Sequence, residues 1–306
     1  MMELAGQQVL ILVTVLLITL GPAFVALWIL TRRKRAARAA RRSPITTELL
    51  RAPGHALRDQ LEELRVDVAF DVASLTFVPA LLLAFFYLHA STTGRMPSLV
   101  VHVIVLAAGT GFIAYQIRSL LRRSAQMDNL RLGLDAELAA GQELDQLMRQ
   151  GAIVFHDFPA DDFNIDHVVI AKQGVLAVET KGYTKPNSGE GKADARVEFD
   201  GQVLKFPWGA TTKPLEQAER QAQWLGKWLS SAVGSPITAL PVLALPGWYV
   251  ELKGRGPVRV YSGKQLRRLL EVRGSQPLSE LDVQRVAHQV EQRCRNVKRA
   301  YRPDDD

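Results

Sequence analysis

The sequence predicts an α/β domain, a mixed sheet flanked by helices, that is preceded by three transmembrane helices. Three stretches near the N-terminus, residues 7–30, 72–90 and 99–117, contain no Asp, Glu, Lys or Arg, and a helix of about 20 such residues spans a bilayer core. From about residue 130, amphipathic helices alternate with short strands rich in Val and Ile, an order typical of a mixed sheet with helices on its faces. We therefore predict a membrane region at 1–123 and a domain at 124–306.

The first apolar stretch is predicted to be an uncleaved anchor. Its basic run follows the apolar residues, whereas a signal peptide has basic residues first. A polar turn with Gly94 and Pro97 joins the other two stretches. Pro79 inside the second is tolerated where neighbouring helices satisfy the freed carbonyl. The alternative for this pair is a buried hairpin of a soluble protein.

Basic residues predict the orientation of the membrane region. Seven Lys or Arg lie between Arg32 and Arg42, and three Arg lie within 118–123, whereas the turn between the second and third stretches has only Arg95. By the positive-inside rule, the N-terminus is outside and the domain is cytoplasmic. This predicts a multi-pass protein of the cell (inner or plasma) membrane, in contact with the lipid bilayer, whose Arg32 to Arg42 run attracts anionic lipid.

The net charge of +7 is not an argument for nucleic-acid binding. Residues 1–123 hold 14 of the 38 Lys+Arg and 7 of the 31 Asp+Glu, so the remaining chain carries 24 of each and is formally neutral. Cys294 is the one cysteine of the sequence. It excludes an internal disulfide and a multi-cysteine metal site, and it suits a reducing compartment.

The elements of the domain follow in order. After a break at Pro53 and Gly54, an amphipathic helix with Leu57, Leu61, Leu64 and Val68 on one face is predicted to lie on the membrane or on the domain. A second helix, from about residue 130, ends at Gly151. The strands "AIVFHDF", "IDHVVIAK" and "GVLAVETK" come next, and then a polar excursion that leads into a hairpin.

The rest of the chain supplies more helices and strands. Pro214 opens a helix that ends before Gly234, and "ITALPVLALPG" and "VRVYS" are strand candidates. Two helices follow, "GKQLRRLLEV" and a basic C-terminal helix, for which Ser279 and Asp282 form a predicted capping pair.

Three charged residues mark the ends of two adjacent predicted strands. Asp166 opens one strand, and Glu179 and Lys181 end the next. If the two strands are antiparallel neighbours, these groups meet at one edge of the sheet, and period two places Glu179 and Lys181 on the same face. Two nearby carboxylates are commonly kept ionised by a divalent cation, and Mg²⁺ prefers such oxygen ligands. A lysine beside them suits phosphodiester chemistry.

At these residues the sequence resembles the nuclease-related domain family of the PD-(D/E)xK nucleases. The segment "IDHVVIAKQGVLAVETKGY" carries the resemblance, which is close over 137–185 and thinner to about 262. It implies a restriction-endonuclease-like fold and a DNA-cleaving enzyme that uses Mg²⁺ or Mn²⁺. It implies Asp166, Glu179 and Thr180 at the metal and Lys181 in catalysis, and it adds Glu137 and Gln217 as catalytic candidates.

The sequence departs from the family pattern at two places. Ala136 stands where the family commonly has Gly before the helical Glu, and Gln221 stands where some related nucleases have Tyr. The substrate class remains open between DNA and RNA. The alternatives to an enzyme are a non-catalytic module that binds nucleic acid or protein at the membrane, and a membrane scaffold.

Most of the other notable polar and aromatic residues are predicted to have structural roles. We expect His167 to be a hydrogen-bonded core histidine and "HDFPADDF", which contains His156 and Asp157, to be a solvated turn. Trp224 and Trp228 are predicted core residues at helical spacing, whereas Trp208 is a candidate for stacking on unpaired bases. The basic residues from Arg285 to Arg302 are predicted to be the exposed face of a helix.

Overall fold

The computed structural model describes residues 48–93, 98–185, 195–271 and 277–297, together with a few single residues before 48. The predicted first membrane stretch, residues 7–30, lies almost wholly outside them. The chain divides into two compact units. One comprises 1–46, 63–126 and 299–306, and the other comprises 47–62 and 127–298.

Two helices in the described part of the chain are long and apolar enough to cross a membrane, over His55–Ala90 and Leu99–Gln150. Helix α1 spans His55–Thr93 and contains Pro79, and helix α2 spans Leu99–Asp145. Each is one continuous helix that contains a predicted apolar stretch and a predicted amphipathic helix, which the sequence pattern treats as two separate elements. No Pro or Gly separates Val68 from Val72, or Ile117 from Leu130, so nothing in these stretches stops the helix.

A polar cluster links α1 and α2 inside the first unit. Asp71 is buried and forms an ion pair with Arg123, and Ser119 Oγ donates to its Oδ2 at 3.1 Å. Gln116 donates to Ser74 on the same pair of helices. Many apolar residues elsewhere on these two helices are exposed, so we infer that the polar contacts fix the register of the hairpin.

The second unit is built on a five-stranded mixed sheet. Its strands are β2 (Ile153–Pro159), β3 (Asn164–Ala171), β4 (Gly174–Thr180), β8 (Ala239–Leu245) and β10 (Arg259–Ser262). Their order across the sheet is β10-β8-β4-β3-β2. Strands β2, β3 and β4 form an antiparallel meander, and β4, β8 and β10 are parallel. The predicted mixed sheet is confirmed. The central strand β4 is buried along its whole length, as expected for a strand covered on both faces.

Helices cover both faces of this sheet. Helix α3 (Lys213–Val233) and helix α4 (Glu280–Cys294) pack on one face, where Leu225, Leu229 and Val290 are fully buried. The C-terminal part of α2 and the 3-10 helix Gly263–Glu271 pack on the other. The predicted cap of α4 is confirmed, because Ser279 Oγ accepts from the Asp282 amide at 3.1 Å.

Two smaller sheets complete the unit. Strands β5 (Arg196–Phe199), β6 (Leu204–Phe206), β7 (Gly209–Thr211) and β9 (Tyr249–Leu252) form a four-stranded sheet, in which β5 and β6 are the predicted hairpin. Strand β1 (Leu49–Leu50) pairs antiparallel with β11 (Arg295–Val297). The predicted C-terminal helix therefore ends at Cys294, earlier than the sequence pattern indicates.

Candidate active site

The strand register places Asp166 opposite Glu179. His167 pairs with Val178, so the next position along the antiparallel pair brings the two acids face to face. Asp166 Oδ2 accepts from the Thr180 amide at 2.6 Å. Lys181 Nζ lies 2.6 Å from Glu179 Oε1. The structure thus brings together the three charged residues that the sequence singled out.

Glu137 on α2 is the third acid of this cluster. It is 8% exposed. Burial raises its pKa to about 7, helped by the negative charges of Asp157 and Glu179, while Lys181 and the Gly54 amide oppose the shift. A carboxyl with such a pKa is partly protonated at neutral pH.

Burial and neighbouring charges also shift the pKa values of Asp166 and Lys181. Burial, and then the charges of Glu179 and Glu137, raise the pKa of Asp166 well above its usual range. Burial alone would lower the pKa of Lys181, but the charge and hydrogen bond of Glu179 raise it on balance. Three crowded carboxyls share one lysine, so the cluster has an excess of negative charge when ionised. A cation would relieve this crowding.

Gln221 is a site residue that the sequence did not single out. Its side chain is 3% exposed, and its Nε2 donates to Glu179 Oε2 at 2.6 Å and to the Asn164 carbonyl at 3.3 Å. Its Oε1 is buried without a partner in the described chain. The predicted Gln217 lies one turn earlier on α3, is half-buried and stays a prediction. Both glutamines follow the core strands, and helix spacing by itself does not distinguish them.

A pair of buried histidines lies beside the acids, which corrects the expectation for "HDFPADDF". His156 and Asp157 belong to β2 and are buried, so the predicted solvated turn is wrong here. The Nδ1 atoms of His156 and His167 are 2.8 Å apart, and His156 Nε2 is 3.0 Å from Asp145 Oδ1. One imidazole therefore donates to the other. Burial lowers the pKa of both histidines, and the predicted hydrogen-bonded His167 is confirmed.

Asp157 holds a backbone conformation that is rare for a residue other than glycine. Its φ is +48°, and it lies in β2 between His156 and Phe158, both of which pair with β3. Its Oδ2 accepts from Arg51 Nη1 at 2.7 Å and from the Ala56 amide at 3.3 Å. Asn164 donates to its Oδ1. These donors hold a carboxylate that is 3% exposed.

The tryptophans divide as the sequence predicted. Trp224 and Trp228 are partly buried against the core, and the Arg293 guanidinium lies over their rings at 5.3 and 5.2 Å. Trp208 is 52% exposed and stacks on Phe206, with ring centroids 4.8 Å apart. The Trp208 side chain is therefore partly accessible to solvent.

The donor chemistry of the site fits a hard divalent cation. Asp166 and Glu179 supply the carboxylate oxygens that Mg²⁺ and Mn²⁺ prefer, and the adjacent Thr180 hydroxyl is buried without a partner among the described residues. The positions of the described side chains do not form a ready cluster of three or more His, Cys, Asp or Glu around a metal position. The acids contact Lys181, Gln221 and the Thr180 amide instead.

The candidate site thus combines two acids and a lysine at the strand ends of a mixed sheet. Comparison with protein families makes the assignment: residues 132–246 match the family described as nuclease-related domain. This segment therefore carries the nuclease-related domain that the sequence resemblance indicates. No curated protein and no solved structure matches it significantly.

Proposed function

We propose that the protein is a membrane-anchored, divalent-metal-dependent nuclease that hydrolyses phosphodiester bonds in DNA. The observation that carries this proposal is the convergence of Asp166, Glu179 and Lys181 at one sheet edge in a nuclease-related domain. The same convergence supports a restriction-endonuclease-like core. The two long apolar helices support the membrane anchor, and we propose the cytoplasmic orientation from the basic residues of the sequence.

In this proposal the acids bind the cation and are themselves held in place. The Thr180 amide fixes Asp166, and Gln221 fixes Glu179. Preorganised ligands avoid the cost of ordering during the reaction. A bound Mg²⁺ or Mn²⁺ would supply positive charge to the phosphate and acidify a water molecule.

Lys181 acts as a hydrogen-bond donor in this scheme. Its raised pKa keeps the ammonium protonated at neutral pH, so it cannot accept a proton from the attacking water. It orients that water or stabilises the negative charge that builds on the phosphate oxygens as the new P–O bond forms and the leaving P–O bond breaks. Glu137, with a pKa of about 7, is suited to take up the proton that the water releases.

The test is cleavage by the full chain in detergent. Linear, circular and single-stranded DNA, and RNA of the same sequence, are incubated with Mg²⁺, Mn²⁺ or EDTA. Lys181→Met is compared with Lys205→Met, whose lysine pairs with Asp200 at a partly exposed position away from the cluster. We expect metal-dependent cleavage that Lys181→Met abolishes and Lys205→Met preserves. Binding of DNA without cleavage by the folded wild type would contradict the proposal and favour the non-catalytic module.

A further inference from the structure

A segment from outside the family-matched region lies against the candidate site. Residues 49–56 precede the apolar part of α1, whereas the family match covers 132–246. The segment is anchored at β1, which pairs with β11. The Arg51 amide donates to the Cys294 carbonyl at 3.3 Å, and Arg51 Nε donates to Asn296 Oδ1 at 2.7 Å.

Gly54 brings this segment into contact with Glu137. Its φ of +67° is favourable for glycine, and its amide donates to the Glu137 carboxylate. A Cβ at this position would lie 2.3 Å from Leu134 Cδ1 and 3.6 Å from Glu137 Oε2. A side chain at position 54 would have to move the Leu134 side chain, and the φ of +67° would strain any residue other than glycine.

Pro53 packs on the same helix one turn further along. A Cβ added to Gly141 would lie 2.8 Å from Pro53 Cγ and 3.5 Å from His167 Cε1. Gly141 is therefore close to both the Pro53 ring and His167, the neighbour of Asp166 in β3. Two consecutive residues of the segment contact one face of α2, which carries Glu137.

The second carboxylate held by the segment is Asp157. Arg51 Nη1 and the Ala56 amide donate to its Oδ2 at 2.7 and 3.3 Å, and the side chains of Arg51 and Asp157 are 17% and 4% exposed. The negative charge of Asp157 also raises the pKa of Glu137. The segment therefore supplies donors to two buried acids, Glu137 and Asp157.

We infer that residues 51–56 are a positioning element of the candidate active site, in which Gly54 holds the Glu137 carboxylate and Arg51 holds Asp157, whose charge acts on Glu137. This inference rests on the proposed function for its catalytic consequence. It also means that the working site extends beyond the family-matched segment. Arg51 is a positioning residue: it does not contact the substrate, and it acts on the reaction only through the acids that it orients.

The kinetic test uses the full chain in detergent with Mn²⁺ and a linear DNA substrate. Loss of an outer-shell partner commonly costs about 10- to 100-fold in metal affinity or activity, so we expect Arg51→Ala to lower kcat by about that factor while KM for DNA changes little. Arg51→Lys, which keeps the charge, is expected to recover part of the loss. Arg58→Ala, in the first turn of α1 just beyond the segment and outside these contacts, is the matched control. A wild-type kcat for Arg51→Ala, or an equal loss for Arg58→Ala, would overturn the inference.

A second measurement needs no catalysis. Hydrogen exchange of the Gly54 and Ala56 amides is followed by mass spectrometry in the wild type, in Glu137→Ala and in Asp157→Ala. We expect faster exchange at Gly54 when Glu137 is removed and at Ala56 when Asp157 is removed, with the amides of β4 unchanged. If the wild type proves inactive, the proposed function fails and this exchange decides the inference alone. Unchanged exchange at both amides would overturn it.

Discussion

Replacing Glu137 by glutamine is expected to stabilise the protein at pH 8 and not at acidic pH. Burial among other acids raises the Glu137 pKa from 4.5 to about 7. The folded state therefore holds this proton more tightly than the unfolded state, so stability is highest below about pH 4.5 and falls as the pH rises to about 7. Each pH unit in that window corresponds to about 1.4 kcal/mol, which makes the total loss about 3 kcal/mol. A glutamine carries no charge and can still accept from the Gly54 amide.

The assay is denaturation of the full chain at pH 5 and pH 8, followed by tryptophan fluorescence. Four tryptophans, at 208, 224, 228 and 248, lie in the unit that contains Glu137, so the signal reports on that unit. Asp135→Asn, at an exposed position on the same helix, controls for the loss of a helical acid. We expect Glu137→Gln to gain about 2–3 kcal/mol over the wild type between the two pH values. An equal pH dependence in both proteins would refute the assignment of Glu137 to a buried acidic cluster.

Three further predictions concern neighbouring contacts. Gln221→Leu removes a donor from the buried Glu179 carboxylate and is expected to lower the free energy of unfolding by about 1.5–3 kcal/mol in denaturation. Gln217→Leu, half-buried one turn away, should lower it clearly less. Equal losses in the two variants would contradict the assignment of Gln221. Trp208→Ala is expected to weaken single-stranded DNA binding by about 1–3 kcal/mol in anisotropy titrations, and Trp208→Phe should bind nearly as well as the wild type. Equal affinity of Trp208→Ala and the wild type would exclude the exposed ring from binding. Arg293→Ala removes a guanidinium from two stacked indoles and is expected to lower the free energy of unfolding by about 1–2 kcal/mol. An unchanged denaturation midpoint would show that the two indoles are stable without the guanidinium.

The positions of Asp166, Glu179 and Lys181 were predictable because they depend on local rules. Alternation along a strand fixes which side chains share a face, and a short turn makes the two strands antiparallel neighbours. Both rules operate within 16 residues, from Asp166 to Lys181. The central sheet and the flanking helices were predictable for the same reason, since hydrophobic periodicity is read over short windows.

Contacts between distant parts of the chain were not predictable in this way. Gln221 is 42 residues from Glu179, and Arg51 is 106 residues from Asp157, so no local pattern pairs them. The polar composition of "HDFPADDF" suggested solvent, but His156 and Asp157 are buried because His167, Asp145 and Arg51 satisfy their polar atoms. Buried polar groups depend on such partners, which only the folded chain brings together.

The most direct test of the central claim is calorimetric titration of Mn²⁺ into the full chain and into Glu179→Gln, in a buffer free of other divalent ions. The proposed acidic cluster predicts saturable binding to the wild type that the variant loses, and a matched loss of DNA cleavage. The glutamine keeps the size of the side chain and removes the charge that faces Asp166. Binding that survives in Glu179→Gln, or no binding by folded wild type, would contradict a cation site at these acids.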